Sequence, residues 1–276
     1  MRGLFLASAC VCILAVGTIS AFLLINGLPF FTKYPAGQFI LGAEWAPLRD
    51  VFGILPMIVG SFYVTLGALL LGAPIGILTA ILMSRFASRP VVKIMKPAVA
   101  LLAGIPSVVY GFFGVMLLVP FVRETFGGTG KSVLVASILL GIMILPTIIQ
   151  TAEAALNAVP QSYYEGSLAL GATHEGSVFR AILPAARPGI ISGLVLGIGR
   201  AIGETMAIIM VAGNNPRMPG DILKGVRTLT VNVLMEMGYA ADLHRESLIA
   251  TGVVLFIIVM AINFLFSFIN RRRVQQ

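Results

Sequence analysis

Residues 55–83 read LPMIVGSFYVTLGALLLGAPIGILTAILM, an apolar stretch without a single charged side chain. The hydrocarbon core of a bilayer is about 30 Å thick, so roughly 20 apolar residues in a helix are enough to cross it. The stretch exceeds that length. We therefore predict that it forms a transmembrane helix.

Five further apolar stretches follow the same pattern, and they lie at 4–26, 98–122, 132–152, 190–212 and 247–270. Hydrophobic residues make up 58% of the chain and charged residues 11%, which excludes both a water-soluble globule and a disordered chain. The first stretch is longer than the core of a secretory signal and has no clear cleavage site, so we keep it as a helix. The sequence predicts an all-α integral membrane protein with six transmembrane helices.

The basic residues indicate how these helices are oriented. The chain has 19 Lys and Arg against 11 Asp and Glu, a formal net charge of +8. If the N-terminus is cytoplasmic, the inner segments hold more Lys and Arg than the outer ones, and they include Arg271–Arg273. The positive-inside rule then predicts that both termini are cytoplasmic. No basic cluster with interleaved aromatic residues indicates a nucleic-acid partner, so we expect the excess charge to lie near membrane lipid.

Neither the cysteines nor the histidines form a pattern typical of a metal site. Cys10 and Cys12 lie in the first apolar stretch, whereas His174 and His244 are expected on opposite sides of the membrane. We therefore predict no metal site and no disulfide framework. A lipoprotein anchor at Cys10 is not expected either, because almost no apolar run precedes it.

The segment 153–189, which the predicted orientation places inside, carries the most specific pattern in the chain. It contains YEGSLALGAT at 164–173, followed by Pro184. Gly171 supplies the backbone freedom for a sharp turn, so the pattern predicts a helix, a turn and a second helix that returns to the membrane. A short projecting helix could enter a groove on a soluble partner, although an ordinary amphipathic loop has the same periodicity.

This segment also resembles the EAA loop of permeases of ATP-binding-cassette (ABC) importers, although Gly166-Ser167 replaces the usual Ala-Ala. The resemblance implies the type I ABC importer permease (MetI-like) fold and a coupling helix that docks on an ATPase subunit. The coupling residues that it implies are Tyr164, Glu165, Gly166, Ser167, Ala169, Gly171, Ala172 and Thr173.

Further stretches narrow this resemblance to one substrate. The runs AGIPSVVYGFFG at 103–114 and GIGRAIGETMA at 197–207 resemble the permease pair of phosphate-specific importers, and ETMAIIMVAGN at 204–214 is more similar to the PstC-like than to the PstA-like member. The resemblance implies a second, PstA-like permease, an ABC ATPase dimer that uses ATP and Mg²⁺, and an external phosphate-binding protein. It also implies a multi-pass protein of the prokaryotic cytoplasmic (inner) membrane.

The predicted organisation has two parts. Residues 1–54 comprise the N-terminal transmembrane helix and an external segment. Residues 55–276 comprise the five-helix core of the importer transmembrane domain, with the cytoplasmic coupling loop 153–189 and the external loop 213–246.

Arg200 and Glu204 are the only charges that we predict inside a transmembrane helix, with Arg200 close to the bilayer midplane. A charge at that depth costs about 2.5–3.5 kcal/mol on insertion scales, so it must be paired or face a polar cavity. Four residues apart in one helix, the two would share a face and neutralise each other. On the same face, Gly193 and Gly197 would leave room for close helix packing or for a ligand.

The guanidinium group of Arg200 matches phosphate oxygens with two parallel hydrogen bonds, which Lys cannot do. We therefore predict that Arg200 contacts phosphate in the translocation path, with Glu204 as its tether and Thr205 beside it. A buried ion pair that only fixes helix packing is the alternative.

Pro106 should kink the third helix, and Ser107 and Tyr110 add hydroxyl groups on the nearby turns. These hydroxyls could line the substrate path or a gate. They could equally serve packing, with Ser107 bonded to a backbone carbonyl.

The chain has no Gly-x-x-x-x-Gly-Lys-Ser/Thr phosphate-binding loop, and the glycine-rich run 127–131 lacks the required spacing. We therefore predict a non-enzymatic permease subunit that binds no cofactor of its own and imports inorganic phosphate with energy from partner ATPases. The alternatives are an ion-coupled secondary transporter of an anion, with Glu204 titrating, or an ABC permease for a different oxyanion. An intramembrane enzyme would need a nucleophile–base pair or a metal cluster that the sequence lacks.

Overall fold

Six helical spans run through the structure, a computed structural model that describes residues 1–274, without the side chains of Ser267 and residues 269–274. Each span is long and apolar enough to cross a membrane, which confirms the prediction of six transmembrane helices. The spans are Arg2–Lys33, Leu55–Phe86, Ser107–Phe126, Val133–Ala158, His174–Gly203 and Asp242–Phe266. The side chains of Arg271–Arg273, used to predict the orientation, lie outside the described residues.

The helices are, in chain order, α1 (Arg2–Gly27), α2 (Phe30–Lys33), α3 (Ala36–Leu41), α4 (Leu55–Ile81), α5 (Arg89–Gly104), α6 (Ser107–Phe113), α7 (Val119–Phe126), α8 (Val133–Ala158), α9 (Gln161–Ala169), α10 (His174–Ser177), α11 (Leu183–Gly203), α12 (Met206–Val211), α13 (Leu229–Glu236) and α14 (Asp242–Val274). A short antiparallel pair joins β1 (Trp45–Ala46) to β2 (Val51–Phe52), a hairpin that hydrophobic patterning did not predict.

Helix α8 lies at the centre of the bundle because two neighbouring helices approach it through glycines. On α4, a Cβ atom added to Gly76 would lie 2.9 Å from Ile148 of α8. On α11, a Cβ atom added to Gly197 would lie 3.2 Å from the same side chain. Both glycines end a Gly-x-x-x-Gly pattern, which begins at Gly72 in α4 and at Gly193 in α11. Small residues at this spacing let helix backbones pack closely where lipid gives no hydrophobic driving force.

The predicted third span, 98–122, is wrong at its start. Helix α5 ends at Gly104, Ile105 has extended backbone, and the membrane-spanning segment begins only at Ser107. Pro106 has no N–H group to continue the helix, so the chain breaks fully instead of kinking. The apolar residues 98–104 therefore belong to α5, a separate helix that precedes the span.

The predicted fifth span, 190–212, is also displaced. Helix α11 begins at Leu183 and ends at Gly203, and Glu204 has extended backbone before the short helix α12. Pro184 lies in the first turn of α11, directly after the π-helical turn Val178–Ile182. Two helices thus replace the single one that the continuous apolar run suggested.

An aromatic cluster covers the end of the bundle opposite the 161–173 segment. Phe30, Phe39 and Phe52 are fully buried there and pack edge to face. Trp45 joins them through Phe52, and the ring of His244, near the start of α14, stacks on Phe52. The cluster fixes residues 30–54 to the helical core.

Candidate functional site

Arg200 lies in the last turn of α11, half-buried. The continuous helical span that contains it runs from His174 to Gly203, so Arg200 lies just before the break at Glu204. Within the described residues its guanidinium group has no ion pair. The carbonyl ends of α11 favour a cation in this turn, which reduces the need for a neighbouring carboxylate.

Glu204 is not the tether of Arg200 that we predicted. Within the described residues, Arg200 and Glu204 form no ion pair. The Glu204 carboxylate instead accepts a hydrogen bond of 3.1 Å from the backbone N–H of Ala207 and so caps the start of α12. Glu204 therefore stabilises the helix break, and the charge of Arg200 stays unpaired in the described protomer.

Hydroxyl groups stabilise the backbone around this break. Thr205 donates a hydrogen bond of 3.2 Å to the carbonyl oxygen of Gly203. From α13, Thr230 donates one of 3.2 Å to the carbonyl oxygen of Glu204. Both carbonyls would otherwise lack a helical partner, because the chain turns out of the helix here. The sequence pattern did not single out Thr230, which lies far away along the chain.

The glycines near Arg200 divide into packed and open positions. Gly193 and Gly197 face α8, where added Cβ atoms would lie 3.0 Å from Thr151 and 3.2 Å from Ile148. The room for a ligand predicted beside them is absent, because those two glycines serve helix packing. Gly199 and Gly203, one turn apart, have nothing within 4 Å of an added Cβ atom. The bare backbone beside Arg200 therefore lies on this second, open face.

Tyr110 and Ser107 stand at the other helix break. The Tyr110 hydroxyl donates a hydrogen bond of 2.8 Å to the carbonyl oxygen of Leu102, a group that the break at Pro106 leaves without a helical partner. Tyr110 is buried in the same core cluster as Ala201, the residue that follows Arg200 in α11. Ser107, half-buried at the first position of α6, takes no part in that carbonyl bond.

The 161–173 segment has the predicted helix–turn–helix geometry. Helix α9 ends at Ala169, and Gly171 has a φ of +84°, in the region that favours glycine. The Thr173 hydroxyl then accepts a hydrogen bond of 3.1 Å from the backbone N–H of Gly176 and caps the next helix. The turn thus explains Gly171, and the helix cap that follows it explains Thr173.

His174 fixes this segment to the rest of the chain. Its Nδ1 atom lies 2.8 Å from the Tyr164 hydroxyl, and its Nε2 atom lies 3.1 Å from the carbonyl oxygen of Arg85, just after α4. Both bonds are satisfied if the hydroxyl donates to Nδ1 and the ring donates from Nε2. Tyr164 is therefore half-buried and anchors α9 to His174.

The exposed surface of the 161–173 segment is formed by other side chains. Four of the predicted contact residues, Glu165, Gly166, Ala169 and Gly171, are exposed. Leu170 is 91% exposed, although sequence reasoning did not select it. The sequence signal for Leu170 is its position directly before Gly171, because an apolar residue beside a predicted turn is expected at the tip. Ser167 and Ala172 are half-buried and support the turn.

Glu236 is the centre of a buried polar network at the opposite end of the bundle. Its carboxylate accepts hydrogen bonds from Arg227 at 2.5 Å, from the Trp45 indole at 2.9 Å and from His244 at 2.9 Å. Arg227 also bonds to the side chain of Asn232 at 3.0 Å. The network thus connects the β1 segment, the loop before α13, α13 itself and the start of α14. Sequence reasoning missed it because these residues are distant along the chain.

Residues 72–275 match the family described as "Binding-protein-dependent transport system inner membrane component". The chain belongs to this permease family. It is therefore a multi-pass inner-membrane component of an ABC importer and not itself an enzyme. Permeases of this family work with a second permease, ATPase subunits and a binding protein.

Two curated relatives of this permease cover most of the chain. It is 36% identical to "Probable ABC transporter permease protein YqgH" of Bacillus subtilis, over 99% of this chain and 91% of that protein. It is 33% identical to "Phosphate transport system permease protein PstC" of Mesorhizobium japonicum, over 82% of this chain and 75% of that protein. The resemblance to PstC-like permeases is thus confirmed over most of the sequence.

The fold of this permease also has a solved counterpart. The inward-facing MetNI methionine ABC transporter matches with a TM-score of 0.61 at 21% identity, over 83% of this chain and 99% of that chain. At that identity the match concerns the fold alone. It confirms the predicted MetI-like architecture.

Proposed function

We propose that this permease subunit forms part of the membrane path for inorganic phosphate. The observation that carries the proposal is the unpaired guanidinium of Arg200 beside the open glycines Gly199 and Gly203. A half-buried guanidinium group without an ion pair is available to an anion, and it binds a tetrahedral oxyanion through two parallel hydrogen bonds. The PstC relative supports phosphate as that anion.

The path residues on this chain would then have distinct roles. Arg200 contacts the anion, while Glu204 and Thr205 hold the break between α11 and α12 that exposes the backbone. Tyr110 holds the second break, and Ser107 begins the span beside it. The open glycine face leaves room for the second half of the path, which a homologous, PstA-like permease would supply.

The energy for transport would come from partner subunits. We propose that an ATPase dimer, using ATP and Mg²⁺, contacts the exposed 161–173 segment, with Glu165, Gly166, Ala169 and Leu170 on its surface. Because this surface must face ATP, both termini of the chain would be cytoplasmic. An external phosphate-binding protein would deliver the substrate on the opposite side.

Reconstituted transport tests this proposal. The complex is purified through a tag on this chain, its subunits are identified, and it is placed in liposomes with ATP on the side of the 161–173 segment. We expect uptake of labelled phosphate only with ATP and the binding protein, and no competition from a hundred-fold excess of sulfate. Uptake without ATP would support an ion-coupled carrier, and equal competition by sulfate would indicate a different oxyanion.

The exposed leucine of the coupling surface gives a separate prediction. Leu170→Ser should weaken binding of the ATPase subunits about ten- to 150-fold, because burying this side chain at an interface contributes about 1.5–3 kcal/mol. The measurement is the affinity of the purified ATPase for the permease pair in nanodiscs. Leu48→Ser is the matched control, since Leu48 is also fully exposed but lies in the β1–β2 hairpin. Equal effects of the two variants would contradict the assignment.

A further inference from the structure

Helix α5 is not needed to cross the membrane. The span that follows it, Ser107–Phe126, has 20 residues, which cover about 30 Å. Extended backbone at Ile105 separates the two. The preceding span ends at Phe86, only a few residues before α5 begins. Helix α5 therefore starts at the membrane boundary where α4 ends.

One face of α5 is basic. Arg89, Lys93 and Lys96 recur at the spacing of successive helical turns, and the helix contains no acidic residue. Lys96 forms an ion pair of 2.8 Å with Glu153 at the end of α8. Within the described residues, Arg89 and Lys93 are exposed and have no such partner. Like charges one turn apart destabilise a helix, so a bound anion would stabilise this face.

A second face of α5 is apolar and exposed. Ile94 is 74% and Leu101 72% exposed, and Val91 and Ala98 continue the same stripe at helical spacing. A third face is packed, since Val99 contributes to a small core against the central helix. The exposed apolar stripe therefore lies on a different face of α5 from the one that packs against this chain. It stands beside unpaired cations at a membrane boundary.

We propose that α5 is an interfacial helix that binds anionic phospholipid. The guanidinium of Arg89 and the ammonium of Lys93 contact the lipid phosphate, and the stripe of Val91, Ile94 and Leu101 enters the boundary between headgroups and acyl chains. A helix with a basic face roughly opposite an apolar face has the amphipathic character of such interfacial segments. The lipid contact would hold α5 beside the break at Pro106, next to the start of the third span.

Lipid retention tests the basic face. The double variant Arg89→Gln/Lys93→Gln is compared with Arg217→Gln/Lys224→Gln, which removes the same charge from exposed positions in the loop before α13. Each basic residue at an anionic surface contributes about a five-fold factor in affinity, so we expect phosphatidylglycerol binding by the purified complex to fall about 30-fold in the first variant only. Native mass spectrometry, with phosphatidylcholine as the uncharged competitor, measures it. An equal loss in both variants, or no loss, would overturn the proposal.

A spin label tests the apolar face independently. In a Cys10→Ser/Cys12→Ser background, a nitroxide at Ile94→Cys in the assembled complex should be relaxed by membrane-soluble oxygen and protected from a water-soluble nickel chelate. A nitroxide at Leu48→Cys, fully exposed in the β1–β2 hairpin, should show the reverse. Protection of Ile94→Cys from both reagents would mean that the second permease covers the stripe, and the lipid proposal would be wrong. Neither measurement involves phosphate, so its outcome is separate from that of the proposed function.

Discussion

Replacing Arg200 by Gln should lower the rate of phosphate uptake about 100-fold, and replacing it by Lys should lower it about tenfold. A hydrogen bond to a charged group contributes about 1.5–3 kcal/mol, which corresponds to roughly ten- to 150-fold. Lys keeps the charge but loses the paired donors of the guanidinium group. ATP-dependent uptake of labelled phosphate into liposomes measures both effects at one phosphate concentration.

The matched control is Arg217, an exposed residue in the loop before α13. Arg217→Gln and Arg217→Lys should transport at the wild-type rate, and all variants should assemble with the ATPase to the same extent. A loss of uptake with normal assembly assigns the effect to the path. Wild-type uptake by both Arg200 variants would contradict a phosphate contact.

The structure also changes the expected effect of substitutions at Glu204 on transport. If Glu204 were the tether of Arg200, Glu204→Gln should lower phosphate uptake as much as removal of the whole side chain. As a cap of α12, it needs only an oxygen that accepts from the Ala207 N–H group, which Gln also offers. Glu204→Gln should therefore transport near the wild-type rate, whereas Glu204→Ala should not. Comparable losses in the two variants would favour a role for the charge itself.

The number of spans could be predicted because hydrophobic length is a local property of the sequence. Residues 55–83 fall within one observed span, and 132–152 match another except for Ser132, which caps its start, since no break interrupts them. The turn at Gly171 was also predictable, because a positive φ is one of the few backbone states that nearly demands a particular residue. In each case the deciding interaction lies within a few residues of the signal.

The helix breaks show where this reasoning ends. Only two polar residues, Glu204 and Thr205, interrupt the apolar run, so hydropathy joins α11 to α12, and the predicted pairing of Arg200 with Glu204 assumed that continuous helix. The break is stabilised by Thr230, a contact across 26 positions of sequence. The glycines were similarly ambiguous. Gly197 and Gly199 are alike in the sequence, and only the placement of α8 makes one packed and the other open.

Glu236→Gln should have the second large effect, because the substitution removes a charge from a buried network. Its side chain is 8% exposed and that of Arg227 11%. Glu236→Gln would leave the guanidinium buried without its counterion, a change that typically costs about 3–5 kcal/mol. We expect a large fall in the apparent melting temperature of the purified permease. Trp45, the single tryptophan of the chain, donates to this carboxylate, so its fluorescence should change together with stability.

Glu246→Gln is the matched control, since it makes the same chemical change in an exposed ion pair with Lys33. Exposed pairs contribute about 0–1 kcal/mol, so this variant should melt close to the wild type and leave the Trp45 emission unchanged. Loss of the Glu236 network should also disturb the proposed phosphate path. Helix α13 carries both Glu236 and Thr230, and the Thr230 hydroxyl stabilises the break at Glu204. Glu236→Gln should therefore also slow phosphate uptake in the fraction that assembles. Equal melting temperatures for the two variants would mean that the network does not hold α13 in place.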